Sequence, residues 1–125
     1  MNIVDSSGWI EYFSDSNRAN LFSKPIENTK KLIVPSITLY EVFKKLLSET
    51  NEDIALTAIA HMQQGKVVDL DQENAISAAK LSCKYNVPMA DSIIYATTLL
   101  YNATLWTQDV DFKNLKGKIK YFRKP

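Results

Sequence analysis

The chain has 125 residues, 46% of them hydrophobic and 23% charged, which is the size and composition of one globular domain. Its formal net charge of +1 excludes a global positive field that would hold nucleic acid without specificity. The single cysteine, Cys83, excludes an internal disulfide and a thiolate metal site, and its neighbours suggest a small, buried apolar side chain.

The first predicted strand, at residues 2–4, is short and apolar and is followed directly by Asp5. Ser6 or Ser7 can cap the helix that comes next, whose apolar face carries Trp9. Because either serine can act as the N-cap, Asp5 is not needed for capping. Its place at the end of a strand therefore favours a functional role.

The next predicted elements are a short helix at 18–26, a strand at 31–34 and a long helix at 36–50. Glu41 lies in the long helix, and helical spacing places it away from the apolar face and one turn before Lys45. A solvent-exposed Glu41–Lys45 pair is the simpler interpretation of this acid. Periodicity alone does not select Glu41 as a functional residue.

Two further helices, at 54–62 and 72–85, enclose a third strand at 66–70, and another helix begins at Pro88. Asp91 lies in the first turn of that last helix. The helix dipole favours an acid at this position whether or not it has a function. The sequence leaves both interpretations of Asp91 open.

The fourth strand is predicted at 104–107 and ends at Thr107, with Asp109 and Asp111 directly after it. The simplest interpretation of Asp109 is a turn residue that makes an Asx-type hydrogen bond. Three polar groups packed after a buried strand are less typical of a plain turn, so a functional role is the alternative.

A fifth strand is predicted at 119–122, within a tail that is rich in cations. One interpretation of the tail is a local contact with nucleic acid. The simpler one is that Lys118 and Lys120 alternate on an edge strand and discourage pairing with another sheet. The cations concerned are Lys113, Lys116, Lys118, Lys120, Arg123 and Lys124.

Short apolar strands separated by helices predict an α/β fold, with a short, mostly parallel sheet covered on both faces in one domain over residues 1–125. Ligands of such folds bind at the carboxyl ends of the strands, where Asp5 and Asp109 are predicted to lie. Converging carboxylates form a site for a hard cation such as Mg²⁺, which takes oxygen ligands. Two carboxylates about 5 Å apart repel by roughly 3 kcal/mol, so some of them should have raised pKa values without a cation.

Four segments in order resemble the PIN-domain ribonucleases, and in particular the VapC toxins of type II toxin–antitoxin pairs. Each segment is a weak signal alone, and the four together span nearly the whole chain. They are IVDSSGWI at 3–10, PSITLYEV at 35–42, ADSIIYAT at 90–97 and LWTQDVDF at 105–112.

The resemblance implies a three-layer α/β/α sandwich that hydrolyses RNA by in-line attack of water, leaving 5′-phosphate and 3′-hydroxyl ends. It implies that an Mg²⁺ or Mn²⁺ ion is held by Asp5, Glu41, Asp91 and Asp109, with Glu41 either binding the ion or orienting the water. Supporting roles are implied for Ser6, Thr107 and Asp111.

The resemblance also implies partners: an RNA substrate, a cognate antitoxin that occludes the acidic pocket, and a second copy of the chain in a homodimer. Trp9, Tyr12 and Phe13 are candidates for the dimer contact, although packing in the core is the better explanation of them. We expect a cytoplasmic protein, because no signal peptide or membrane-spanning segment is predicted.

Two other classes of protein remain as alternatives. A phosphoryl-accepting regulatory domain also has a parallel sheet and an acidic Mg²⁺ pocket, and Asp69 or Asp71 with Lys118 would have to supply its other conserved groups. A catalytically silent PIN-like binding module would keep the acids without turnover, and the presence of all four acids argues against it.

Overall fold

Five parallel strands form one sheet in the computed structural model, which describes residues 1–125. The sheet order is β3-β2-β1-β4-β5, so β1 lies at the centre and β3 and β5 at the edges. The central register pairs Ile3 with Ile33 and Val4 with Trp106. The strands are β1 (Asn2–Val4), β2 (Leu32–Pro35), β3 (Lys66–Val68), β4 (Thr104–Thr107) and β5 (Lys118–Tyr121).

Six α-helices connect the strands, as the alternating pattern of the sequence predicts. They are α1 (Ser6–Phe13), α2 (Asn20–Glu27), α3 (Ser36–Glu49), α4 (Glu52–Met62), α5 (Gln72–Tyr85) and α6 (Met89–Leu100). Two short 3-10 helices, at Thr29–Lys31 and Val110–Phe112, were not predicted. None of the helices has the length and apolar character that crossing a membrane requires.

The two faces of the sheet are covered by separate apolar clusters, because successive strand residues point to opposite sides. On one face Val4 and Trp106 pack with residues of α1 to α4, and Trp9 is fully buried there. On the other face Ile3 and Leu105 pack with α6. The predicted three-layer α/β/α sandwich is therefore confirmed, and Trp9 belongs to the core rather than to an exposed contact surface.

The sequence prediction for Cys83 is wrong, because this residue is exposed. The inward face of α5 carries Asn74 and Ala78, which are buried. Cys83 lies five positions after Ala78, which turns the cysteine by roughly 140° around the helix axis and toward solvent. Many small residues in α5 made the buried face hard to recognise from the sequence.

The edge position of β5 agrees with the simpler interpretation of Lys118 and Lys120. Both lysines are exposed on this strand, and the Lys120 ammonium lies 4.4 Å from the centre of the Trp106 ring. Charged side chains on an edge strand oppose pairing with another sheet.

Candidate active site

Asp5 directly follows the central strand and is held by hydrogen bonds on both of its carboxylate oxygens. Oδ1 accepts from the Gly8 amide at 2.9 Å, so Asp5 itself is the N-cap of α1. The prediction that Ser6 or Ser7 caps this helix is wrong. The Ser7 hydroxyl instead donates to Asp5 Oδ1 at 3.0 Å, and the capping and functional interpretations of Asp5 are compatible.

Burial dominates the electrostatics of Asp5, which is only 2% exposed. It raises the pKa of the carboxyl from 3.8 to about 6, although hydrogen bonds from Thr107, Gly8 and Ser7 act in the opposite direction. The negative charge of Asp109 raises it further. Such a group gains from a nearby cation, because a positive charge offsets the cost of ionising a buried acid.

Thr107 links the carboxyl end of β1 to that of its neighbour β4. Its buried hydroxyl donates to Asp5 Oδ2 at 2.6 Å and accepts from the Asp109 amide at 2.9 Å. One side chain therefore orients an acid after β1 and fixes the start of the segment that carries the acids after β4.

Three acids come close enough to share one ion. Carboxylate oxygens of Asp91, Asp109 and Asp111 all lie within 4.8 Å of one another. Asp109 Oδ1 accepts from the Asp111 amide at 2.9 Å, which is the Asx-type turn that the sequence suggested. The turn and the acidic cluster are thus the same structure. Its position is fixed by Phe112, which is fully buried beneath it.

Asp91 enters this cluster from the first turn of α6. Its pKa is raised from 3.8 to about 8, first because the carboxyl is half-buried and then because of the charge of Asp109. A hydrogen bond with Asp111, and the charges of Asp111 and Glu41, raise it further. The expectation that carboxylates of this cluster have raised pKa values is confirmed for Asp5 and Asp91.

Glu41 reaches the site from α3 through a contact that no local pattern indicates. It accepts a hydrogen bond from the Ser6 hydroxyl at 2.5 Å. Lys45 pairs with Glu49 at 2.9 Å instead, so the predicted Glu41–Lys45 pair is not formed. The charge of Glu41 also helps to raise the pKa of Asp91, so the two carboxylates lie close enough to repel each other.

The structure thus brings all the predicted acids to the carboxyl edge of the sheet, in two groups. Asp91, Asp109 and Asp111 form the tight cluster, and Asp5 and Glu41 stand beside it, each oriented by a hydroxyl group. Asp111, expected only in a supporting role, lies inside the cluster. The feature of the sequence that could have indicated this is the spacing of two residues between Asp109 and Asp111.

A polar network that includes Gln108 lies behind this edge, and no sequence pattern predicted it. Gln108, 4% exposed, accepts from Arg18 Nε at 2.6 Å and donates to Glu11 at 2.8 Å. Arg18 precedes α2, where periodicity carries no information, and its partner is 90 residues away along the chain.

The chemistry of the donor set is that of a hard cation site. All candidate ligands are carboxylate oxygens, and the only histidine, His61, packs edge-on against Tyr12 and Phe13. Mg²⁺ and Mn²⁺ prefer oxygen ligands. Burial raises the pKa of Asp5 and Asp91 most, and the charges of neighbouring carboxylates add to the effect. A bound cation would oppose both effects, because it favours the ionised acids.

Comparison with known proteins gives one family and one fold. The family model described as PIN domain matches residues 3–118. No curated protein matches the sequence.

Several solved structures share the fold. A toxin–antitoxin complex from Klebsiella pneumoniae matches with 21% identity and a TM-score of 0.77, covering 95% of each chain. VapC20 from Mycobacterium tuberculosis, described as a toxin that cleaves the sarcin-ricin loop, matches with 14% identity and a TM-score of 0.77, over 90% of this chain and 93% of that one. A DNA-bound VapBC complex from Salmonella typhimurium matches with 16% identity and a TM-score of 0.74, over 94% and 95%. At these identities the similarity establishes the fold.

Proposed function

Because the chain belongs to the PIN-domain family, we propose that it is a divalent-metal-dependent endoribonuclease of the VapC toxin type. The observation that carries the proposal is the convergence of Asp91, Asp109 and Asp111 beside the buried carboxylate of Asp5. Four elements of the chain bring these acids and Glu41 together at the edge of the sheet where parallel α/β folds bind their ligands.

In this proposal Asp91, Asp109 and Asp111 bind Mg²⁺ or Mn²⁺ together with Asp5. The bound ion stabilises negative charge that develops on the phosphate and lowers the pKa of the attacking water. Thr107 and Ser7 hold the Asp5 carboxylate in place, and Ser6 does the same for Glu41. Glu41 completes the binding of the ion or orients the water.

The reaction is hydrolysis of a phosphodiester bond in RNA. Water attacks phosphorus in line with the 3′-oxygen, the bond between phosphorus and that oxygen breaks, and the oxygen leaves with a proton. The products carry 5′-phosphate and 3′-hydroxyl ends. VapC20, which has a similar fold, is described as a toxin that cleaves the sarcin-ricin loop. This description supports RNA as the substrate class.

We further infer that the chain is the toxin of a toxin–antitoxin pair and acts in the cytoplasm as a homodimer. Related folds occur in complexes of toxin and antitoxin, which supports an antitoxin as partner. The antitoxin would insert a segment into the acidic pocket and exclude RNA from it. Size-exclusion chromatography with light scattering tests the homodimer.

The phosphoryl-accepting alternative has less support from the geometry. Lys118 begins β5 and so lies at the amino edge of the parallel sheet, opposite Asp5. Asp71 caps α5 by accepting from the Asn74 amide, and Asp69 follows the edge strand β3. Neither acid stands next to Asp5 as that function requires.

Cleavage of RNA tests the nuclease proposal. The wild-type protein should cleave single-stranded RNA with Mg²⁺ or Mn²⁺ and should not do so with a chelator. Asp109→Asn should be inactive under all conditions, whereas Asp69→Asn, which removes an exposed acid elsewhere, should remain active. Cleavage that persists in chelator and in Asp109→Asn contradicts the proposal. Absence of cleavage with any RNA, despite metal binding, favours the silent PIN-like module.

A further inference from the structure

A second feature of the carboxyl edge is a cleft of about 720 Å³ beside the acids. Asp109 and Ser7 contribute to one wall, and cations contribute to the other. The residues that line it are Ser7, Gln108, Asp109, Val110, Lys113, Tyr121, Arg123 and Lys124.

The cationic wall is a fixed part of the fold. The Phe122 amide donates to the Thr107 carbonyl at 2.9 Å, which continues the pairing of β5 with β4. The Phe122 ring packs against Phe22 and Trp106. Arg18 then donates to the carbonyls of Phe122 and Arg123 at 3.3 and 3.4 Å. The last residues are thereby held along the cleft.

Three cations of the cleft are not engaged in ion pairs with the protein. Arg18 pairs with Glu11 at 3.8 Å, whereas Lys113, Arg123 and Lys124 form no ion pair. A hydrogen bond from Gln108 lowers the pKa of the Glu11 carboxyl most, and Lys124 is still near enough to lower it further. In a chain with a net charge of +1, three free cations in one cleft are a local concentration. Because these cations have no carboxylate partner, a phosphate group bound beside them would be stabilised by their charge.

Tyr121 adds an aromatic surface to the same cleft. The side chain is half-buried, and the Lys113 ammonium lies 5.7 Å from the ring centre. Single-stranded nucleic acid is bound by such combinations of cations, which follow the backbone, and aromatic rings, on which unpaired bases stack. A base inside a duplex is already stacked and cannot reach the ring.

We propose that this cleft binds an unpaired stretch of RNA next to the bond that is cleaved. Lys113, Arg123 and Lys124 contact its phosphates, and Tyr121 stacks on one base. The inference rests on the proposed function, because Asp109 of the acidic cluster lines the cleft. It divides the basic tail: Lys113, Arg123 and Lys124 face the RNA, and Lys116 and Lys118 do not. Lys120 lies over the Trp106 ring and is not part of the cleft.

Lys116 and Lys118 provide a matched control. They belong to the same tail and carry the same charge, but they lie before or at the amino end of β5, away from the acids. Lys118 lies 3.5 Å from the carbonyl of Asn102, on the opposite edge of the sheet. Both side chains are exposed, as are those of Lys113 and Lys124.

Binding is measured in chelator, so that the result does not depend on cleavage. The probe is a fluorescent, unstructured RNA of 12 nucleotides, titrated with full-length protein at several salt concentrations. Lys113→Ala/Lys124→Ala should weaken binding about tenfold and reduce the slope of log K against log salt by about 1.4, because two phosphate contacts are lost. Lys116→Ala/Lys118→Ala should stay within about twofold of wild type.

Tyr121→Leu should weaken binding of the single strand about fivefold or more and leave binding of a duplex of the same length unchanged. Equal losses in the two double variants, or tighter binding of the duplex, would overturn the inference. Poly-L-glutamate that binds as well as RNA and competes for the cleft would also overturn it. A chain that binds RNA as described but cleaves none would instead remove the nuclease proposal.

Discussion

The hydroxyl of Thr107 donates to the Asp5 carboxylate at 2.6 Å, across the boundary between the two central strands. The same oxygen accepts from the Asp109 amide. Thr107 therefore lowers the pKa of one acid of the site, against the effect of burial, and fixes the backbone position of another. Among the hydrogen bonds that lower the pKa of Asp5, the one from Thr107 has the largest effect.

Replacement of Thr107 by valine keeps the shape of the side chain and removes this donor. The pKa of Asp5 should rise beyond about 6, because its ionised form loses a hydrogen bond. A hydrogen bond to a charged group contributes roughly 1.5–3 kcal/mol, so cleavage should fall about ten- to hundredfold. The pH–rate profile should show its acid limb moved to higher pH, whereas Thr107→Ser should retain the wild-type profile.

Asp5 should make stability depend on pH in the absence of metal. Its pKa of about 6 lies above the ordinary 3.8, so the folded protein binds this proton more tightly than the unfolded chain. Its contribution to stability is present below pH 4 and is lost as the pH rises through 6. The loss amounts to about 3 kcal/mol.

Urea denaturation of wild type and Asp5→Asn between pH 4 and 8 measures this contribution. As the pH rises from 4 to 8, the unfolding free energy of Asp5→Asn should increase relative to that of wild type. Parallel curves would show that Asp5 has the same pKa in the folded and unfolded states.

Metal binding should release a proton from Asp91. Its pKa of about 8 means that the carboxyl is largely protonated at pH 7, and an ion bound by the cluster favours the ionised form. Calorimetric titration with Mn²⁺ at pH 7, in two buffers of different ionisation enthalpy, should show release of about one proton. Asp69→Asn should behave like wild type, and Asp91→Asn should bind more weakly and release less. Identical enthalpies in both buffers would contradict the prediction.

Local patterns predicted the strands and the acids at their ends, because a buried parallel strand is a short apolar run and its carboxyl end has a fixed place in the sheet. Contacts between distant segments were beyond such patterns. Ser6 orients Glu41 across 35 residues, and helical spacing alone assigned that acid to Lys45. The resemblance to a family, rather than periodicity, selected Glu41.

The N-cap of α1 illustrates a different limit. Asp5 provides both an acceptor for the helix amide and a negative charge for the site. From local patterns these two roles look like alternatives, because either serine after Asp5 can also cap a helix. In the structure one oxygen serves the helix while the other accepts from Thr107. A carboxylate has enough lone pairs for both.

Gly8 should be required for the position of this cap. A Cβ atom at Gly8 would lie 2.7 Å from both Phe22 Cδ1 and Val4 Cγ1. Glycine to alanine in an open helix is stabilising by roughly 0.5–1 kcal/mol, but here overpacking should destabilise the fold by about 1–3 kcal/mol. Cleavage should fall too, because the Gly8 amide bonds to Asp5.

A second substitution tests whether the Phe22 ring is the obstacle. Phe22→Leu combined with Gly8→Ala should cost less than the sum of the two single changes, since the smaller side chain makes room for the methyl group. Urea denaturation of all four proteins checks this, and strict additivity would show that the Phe22 ring is not the obstacle.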